Sequence, residues 1–161
     1  MPYYIPVAIE VGVDVRDDRH FPAGKGRPII SGDSLALALA FPGQKGIWKL
    51  AIADGGGDEA RREFLRVPEG VVASSEAIKE VSATVERHGD VTRYRVQIPL
   101  SLLKASWKSD FCKGFRFNVL AGDNDGEGLD CWIEARRGTF KANDPVRFPM
   151  VAFDRTKHRF P

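Results

Sequence analysis

The chain has 161 residues, 43% of them hydrophobic and 29% charged, so we expect one globular domain and exclude a disordered chain. The net charge of +2 combines a basic end with an acidic remainder, because residues 136–161 hold seven Lys and Arg against two Asp. This basic end could bind an acidic polysaccharide, or it could be a solvated edge strand. The sequence has no nucleic-acid motif and no apolar run long enough to span a membrane, so we expect neither nucleic acid nor a membrane as a partner.

Alternating hydrophobic residues predict β-strands along most of the chain. The runs, in order, are Val7–Val15, Leu35–Phe41, Trp48–Ile52, Val81–Val85, Tyr94–Ile98 and Phe115–Ala121. Turn signals rich in Gly, Asp and Pro separate these runs at 41–43, 54–57, 88–90 and 122–126. Short strands at this spacing are typical of a sandwich or a barrel, and strands that expose one face favour antiparallel sheets.

Helical signal is weak. Glu59–Leu65 is expected to form one or two helical turns, and Pro99–Lys104 a single turn opened by the proline. The polar segment Asp17–Ile30 is predicted to be a long loop, which in a compact domain is either functional or disordered. Cys112 and Cys131 are expected to be free thiols, since a hairpin between residues 115–121 and 131–136 separates them by more than disulfide geometry allows.

Four stretches, taken together, resemble the family 9 carbohydrate-binding modules and their DOMON-like relatives. They are a strand with an acidic turn (Val13–His20), a Gly-Asp-Ser strand (Gly32–Leu39), a strand with Ile-Pro and a short turn (Tyr94–Leu103), and an acidic turn, tryptophan strand and Asp-Pro loop (Asn118–Phe148). The resemblance covers nearly the whole chain in order. It implies a non-catalytic β-sandwich that binds sugars, is often attached to secreted polysaccharide-degrading enzymes, and commonly holds calcium.

The chain departs from the family pattern at its sugar-stacking positions and at its beginning. Ile30 stands where related modules carry a Trp before the Asp-Ser pair, and Ala135, Ala142 and Asn143 stand where other aromatic residues are expected. The family's opening strands are absent before Val7, which predicts an uncovered sheet edge. The resemblance implies a secreted or cell-surface location as part of a larger protein, although no signal peptide precedes Pro2.

Sugars bind proteins through aromatic faces and through polar groups that fix hydroxyls, and several residues are candidates for these roles. The predicted ligand-binding residues are Trp132, Glu134, His20, Arg27, Arg136, Phe140, Lys141 and Trp107. Trp48 alternates with Leu50 and Ile52, so we predict that it packs in the core. For Trp107, core packing or loop anchoring is the alternative to ligand contact.

Two acidic turns are candidate metal sites. Asp17 and Asp18 end the first strand, and Asp123, Asp125 and Glu127 crowd a glycine-rich turn whose alternating carboxylates could supply oxygens to calcium. The alternative for the second turn is local backbone hydrogen bonding, for which Asp, Asn and Gly are equally suited. An EF-hand is rejected, because strands rather than helices are predicted on both sides.

These patterns predict an all-β fold, an antiparallel β-sandwich of jelly-roll-like, immunoglobulin-like two-sheet architecture, forming a single domain over residues 1–161. The predicted function is non-catalytic attachment to poly- or oligosaccharide, as an accessory domain of a polysaccharide-degrading enzyme. The alternative is a structural or interaction β-sandwich that has lost sugar binding and packs on a catalytic domain or its own copy. No enzyme activity is expected, since His20, His88 and His158 show no catalytic or metal spacing.

Overall fold

The computed structural model describes residues 7–56, 59–104, 114–124, 131–136 and 143–151. Nine β-strands and three short 3-10 turns are formed within these ranges. The strands are β1 (Ala8–Arg16), β2 (Ser34–Ala40), β3 (Trp48–Ala53), β4 (Arg61–Arg66), β5 (Ser82–His88), β6 (Val91–Pro99), β7 (Phe115–Asp123), β8 (Cys131–Glu134) and β9 (Met150–Val151). The 3-10 turns span Ile29–Ser31, Ala77–Glu80 and Pro145–Arg147.

The strands form two antiparallel sheets. The smaller sheet has the order β1-β6-β5, and the larger has the order β4-β3-β2-β7-β8, with β9 pairing with β7 beyond this path. The two sheets pack face to face as a sandwich, so the predicted all-β antiparallel sandwich is confirmed. Within the described ranges, β1 has a strand partner on one side only.

The core lies between the sheets and is built from the alternating residues that the sequence singles out. Leu35, Leu37 and Leu39 of β2 meet Trp48, Leu50 and Ile52 of β3. Tyr94, Val96 and Ile98 of β6 close the core from the opposite sheet. Trp48 is 1% exposed and donates its indole N–H to Gln44 Oε1 at 2.9 Å, so the prediction of a core tryptophan is confirmed.

The outer face of the larger sheet is also covered, which the sequence did not predict. Every residue of β2 and β3 is buried, although alternate positions point away from the core. At one end the segment before β2 packs Ala23 and Ile29 on Ala51 and Ala53. At the other end Ile47 and Phe148 pack on Ala38 and Ala40. The alternating alanines of β2 and β3 fit this arrangement, because small side chains let covering segments approach the sheet.

The expectation of helical turns over Glu59–Leu65 is wrong. Residues Arg61–Arg66 form β4, which pairs antiparallel with β3 and places Phe64 against Trp48 with ring centroids 5.8 Å apart. Pairing at a sheet edge therefore outweighs the helix propensity of a charged segment. Residues 100–104 form the hydrogen-bonded turn expected there, with Leu103 N donating to Pro99 O at 3.4 Å.

The expectation of free thiols concerns two cysteines at the margin of the described ranges. Cys131 begins β8 opposite Asp123, whereas Cys112 lies outside the described residues, so the free-thiol expectation stays a prediction.

No helix in the described part of the chain is both long and apolar enough to cross a membrane.

Candidate functional site

The outer face of the larger sheet carries a band of polar groups between its two covering segments. Strand register places Ala38 directly between Lys49 on β3 and Asn118 on β7. One row further along, Leu120 of β7 is opposite Glu134 of β8. Since directly paired residues share a face, all of these side chains lie on the side of the sheet that faces away from the core.

Lys49 is a buried cation within this band. It is 6% exposed, and burial is the main cause that lowers its pKa, followed by repulsion from Arg66. The carboxylate of Glu134 acts in the opposite direction and raises the pKa of Lys49. Their strands are three spacings apart, about 14 Å, so long side chains bring the two charges towards each other across β2 and β7. The band therefore contains one positive and one negative side chain, and small alanine side chains of β2 lie between them.

Trp132 stands beside Glu134 at the edge of the same face. It is 40% exposed and alternates with Glu134 along β8, so both residues point outward from the sandwich. Arg136 follows two residues later and is also exposed, and its backbone N–H donates to Asn118 Oδ1 at 3.2 Å. An aromatic face, a carboxylate and a guanidinium are thus grouped on one short strand and its continuation.

The remaining predicted ligand-binding residues are placed in three different ways. Arg27 is exposed in a turn of the segment before β2, where its N–H donates to Gly24 O at 3.3 Å. Trp107, Phe140 and Lys141 lie outside the described residues. His20 is brought not to the polar band but to a separate acidic cluster.

That cluster is formed by Asp17, His20 and Asp33, each of which offers one ligand atom within 4.8 Å of the others. His20 Nδ1 is 3.0 Å from Asp33 Oδ2, and His20 Nε2 is 2.8 Å from Asp54 Oδ2. The side chains of Asp17 and Asp33 are 6% and 5% exposed. We call these three residues, with Asp54 behind His20, the Asp-His cluster.

Asp33 ties three parts of the chain together. Its Oδ2 accepts the N–H of Phe21 at 2.6 Å, and its Oδ1 accepts the N–H of Asn124 at 2.9 Å. Burial is the main cause that raises the pKa of Asp33, with the charge of Asp17 adding to it, while the two backbone hydrogen bonds lower it. The motif Gly32-Asp33-Ser34 therefore fixes the segment before β2 to the end of β7.

Asp17 is held by Arg87, which donates to Asp17 Oδ2 at 3.3 Å and to the backbone oxygen of Asp17 at 2.6 Å. A cavity of about 10 Å³, the volume of one water or one ion, is lined by Asp17, Asp33 and Asp123 together with buried Tyr94. Burial raises the pKa of the Tyr94 hydroxyl, and the charges of Asp33 and Asp17 raise it further.

The other predicted metal ligands are placed differently. Asp18 is exposed and is not part of the Asp-His cluster, and Asp125 and Glu127 lie outside the described residues. Calcium prefers six to eight oxygen ligands. The described carboxylates supply oxygens, but the third ligand atom is the ring nitrogen of His20. Calcium binding accordingly stays a prediction.

Sequence reasoning missed four residues that the structure brings into these sites. Lys49 and Asn118 were hidden because they occupy the outward positions of strands read mainly for their core residues. A signal existed for Lys49, since a lysine stands between Trp48 and Leu50 in a strand that is otherwise apolar. Asp33 and Asp54 end up around His20 through folding over 13 and 34 residues, which no local spacing indicates.

No family model matches the chain, and the search of curated proteins finds no match. Solved structures do match its fold. A family 9 carbohydrate-binding module from Caldicellulosiruptor kristjanssonii, solved with glucose, is 14% identical with a TM-score of 0.67, over 92% of this chain and 71% of that one. A family 9 module from the same organism, solved with cellotriose, is 14% identical with a TM-score of 0.62. This match covers 96% of this chain and 74% of that one. A candidate carbohydrate-binding protein from Bacteroides uniformis is 15% identical with a TM-score of 0.56. This match covers 91% of this chain and 72% of that one.

The chain thus has the fold of family 9 carbohydrate-binding modules, as its four motif stretches predicted. At 14% identity the likeness concerns the fold, because one fold can carry many functions and each function depends on its site.

Proposed function

We propose that this chain is a non-catalytic carbohydrate-binding module whose ligand lies on the outer face of the larger sheet. The observation that carries the proposal is the grouping of exposed Trp132 with Glu134 on β8 and with exposed Arg136 just beyond it. The support from outside the chain is its fold, which is that of modules solved with glucose and with cellotriose.

The chemistry of this face suits a neutral sugar. The exposed ring of Trp132 offers an apolar surface for the C–H-rich face of a pyranose. Glu134 accepts hydrogen bonds from hydroxyl groups, and Arg136 donates them. Lys49 is almost fully buried on the same face, and its positive charge faces the carboxylate of Glu134, which raises the pKa of Lys49.

Glucose and cello-oligosaccharides are the first ligands to test, since those are the sugars bound in the two Caldicellulosiruptor modules. Because Ile30 replaces one stacking aromatic, we expect weaker binding than a pair of aromatic rings would give. Ile30 is 49% exposed on the 3-10 turn Ile29–Ser31, where it offers an aliphatic contact only.

The test is calorimetric titration of the purified chain with cellotriose, preceded by a glycan-array screen to find other sugars. Trp132→Ala should abolish or greatly weaken binding. Ile133→Ala is the matched control, because Ile133 is 67% exposed on the same strand but points to the opposite face. Equal affinity of the two variants would reject the face proposed here, and an array without any binding would reject the function.

An attachment role follows from this function. We propose that the module anchors a polysaccharide-degrading enzyme to its substrate outside the cell, and the support is the family resemblance of the sequence. The polysaccharide would then be shared by the module and by the catalytic domain linked to it. Fusing the chain to a cellulase should raise activity on insoluble cellulose without changing activity on a soluble substrate.

A structural or interaction domain is the second candidate, and the edge strand β1 favours it. In the described part of the chain β1 pairs only with β6, and Val7 just before it is 72% exposed. An edge of this kind can add a strand from a partner domain or from a second copy. Sedimentation of the purified chain distinguishes the two cases, since a dimer that binds no glycan would support this candidate.

A further inference from the structure

The two ring nitrogens of His20 face carboxylate oxygens on opposite sides. Nε2 is 2.8 Å from Asp54 Oδ2, while Nδ1 is buried, 3.0 Å from Asp33 Oδ2, and makes no well-directed hydrogen bond. A buried polar atom in this condition calls for a physical explanation.

The tautomer of His20 defines the problem. A carboxylate only accepts hydrogen bonds, so the contact with Asp54 requires the proton on Nε2. In the neutral ring Nδ1 then directs its lone pair towards the oxygen of Asp33. Two acceptors 3.0 Å apart repel each other unless a proton or a metal cation lies between them.

We propose that the Asp-His cluster binds one divalent transition-metal ion, of which Zn²⁺ is the best fit, through His20 Nδ1 and the carboxylates of Asp17 and Asp33. The three ligand atoms already lie within 4.8 Å of one another. The ion-sized cavity lined by Asp17, Asp33 and Asp123 adjoins the two carboxylates of this set.

Asp54 completes the arrangement from outside the ligand set. A histidine that binds zinc usually donates its other N–H to a carboxylate, which fixes the ring and increases its basicity. Asp54 makes this contact with His20, and its own Oδ1 is oriented by the N–H of Gly56 at 2.8 Å. Imidazole suits zinc, copper and nickel, whereas calcium strongly prefers oxygen, so His20 selects against the calcium that the resemblance implies.

Metal binding would stabilise the segment that covers the outer face. Asp17 and His20 belong to the beginning of that segment, Asp33 to its end, and Asp54 follows β3. One ion would therefore join the two ends of this segment, and the contact of His20 with Asp54 would link them to the end of β3. At a zinc concentration of 100 times Kd, the melting temperature should rise by about 5–10 °C.

The experiment uses the whole chain, freed of metal by dialysis against a chelator. Thermal melts and calorimetric titrations are run with ZnCl₂, MnCl₂ and CaCl₂, and cobalt is added as a spectroscopic probe, since its visible absorption reports a nitrogen and oxygen ligand set. We expect one zinc ion per chain, a larger shift of the melting temperature with zinc than with calcium, and loss of both the shift and the cobalt band in His20→Gln. His88→Gln is the matched control, because His88 is exposed and its ring contacts Glu86 rather than a residue of the Asp-His cluster.

Three results would overturn the proposal. They are no shift with zinc, a larger shift with calcium, or equal zinc binding by His20→Gln and the wild type. If His20→Gln does not fold, Asp54→Asn provides the test, since loss of this outer contact should weaken zinc binding about 10- to 100-fold. Cellotriose binding is measured separately, so the two proposals succeed or fail independently.

Discussion

Replacing Asp33 by asparagine tests how the segment before β2 is held in place. The side chain keeps its size, but it loses its charge and one of its two acceptor oxygens. In the wild type the two oxygens accept the N–H groups of Phe21 and Asn124 at 2.6 and 2.9 Å. In Asp33→Asn one of these buried N–H groups must face the amide NH₂, which is itself a donor.

The expected loss follows from these two contacts. A hydrogen bond to a charged group contributes about 1.5–3 kcal/mol, and a buried donor left without an acceptor costs about 1–3 kcal/mol. Part of this loss is offset, because burial raises the pKa of Asp33 and its ionised form is therefore not free of cost in the folded state. We expect the free energy of unfolding to fall by about 2–4 kcal/mol in total.

The assay is urea unfolding at neutral pH, followed by circular dichroism, with chelator present so that metal does not contribute. Asp18→Asn is the control, because Asp18 is exposed in the same turn region, and its free energy of unfolding should stay within about 0.5 kcal/mol of the wild type. A change of the same small size in Asp33→Asn would refute the claim that Asp33 anchors this segment.

Three further predictions concern the neighbouring glycine, the lost stacking position and the buried lysine. Gly32→Ala should cost about 1–3 kcal/mol in urea unfolding, since its Cβ would lie 2.5 Å from Ala23 N, whereas Gly24→Ala should be neutral because nothing lies within 4 Å. Ile30→Trp should tighten cellotriose binding about two- to tenfold by calorimetry, and unchanged affinity would place the sugar elsewhere. Burial lowers the pKa of Lys49 in the folded state. As the pH approaches 10.5, the unfolded state therefore binds more protons than the folded state. The free energy of unfolding should consequently rise with pH in this range. Lys49→Met should lack this rise in urea unfolding as the pH approaches 10.5.

The sequence predicted the two-sheet fold well, because core positions repeat with a period of two. Leu35, Leu37 and Leu39 lie in the core of the structure as the alternation indicated. The strand at Arg61–Arg66 was missed, because four charged residues in six mask a period that only pairing with β3 reveals. The alternation of hydrophobic residues indicates which side chains of a strand are buried. It gives less information about which strand pairs with it at the edge of the sheet.

The candidate sites were predictable only in part. Trp132 and Glu134 were singled out from the resemblance, and the structure puts them on the same face. The Asp-His cluster could not be read from spacing, since Asp54 comes from a turn whose glycines already explained its presence. Sites assembled from distant segments depend on tertiary packing, which the order of residues does not display.

The most direct test of the central claim is titration of the chain with cellotriose, alongside Trp132→Ala and Ile133→Ala. We predict measurable binding by the wild type, a loss of at least about tenfold in Trp132→Ala because an anchoring tryptophan commonly contributes about 2 kcal/mol, and unchanged affinity in Ile133→Ala. Absence of binding by the wild type to cellotriose and to every glycan on an array would contradict the account and would favour the interaction domain with its open β1 edge.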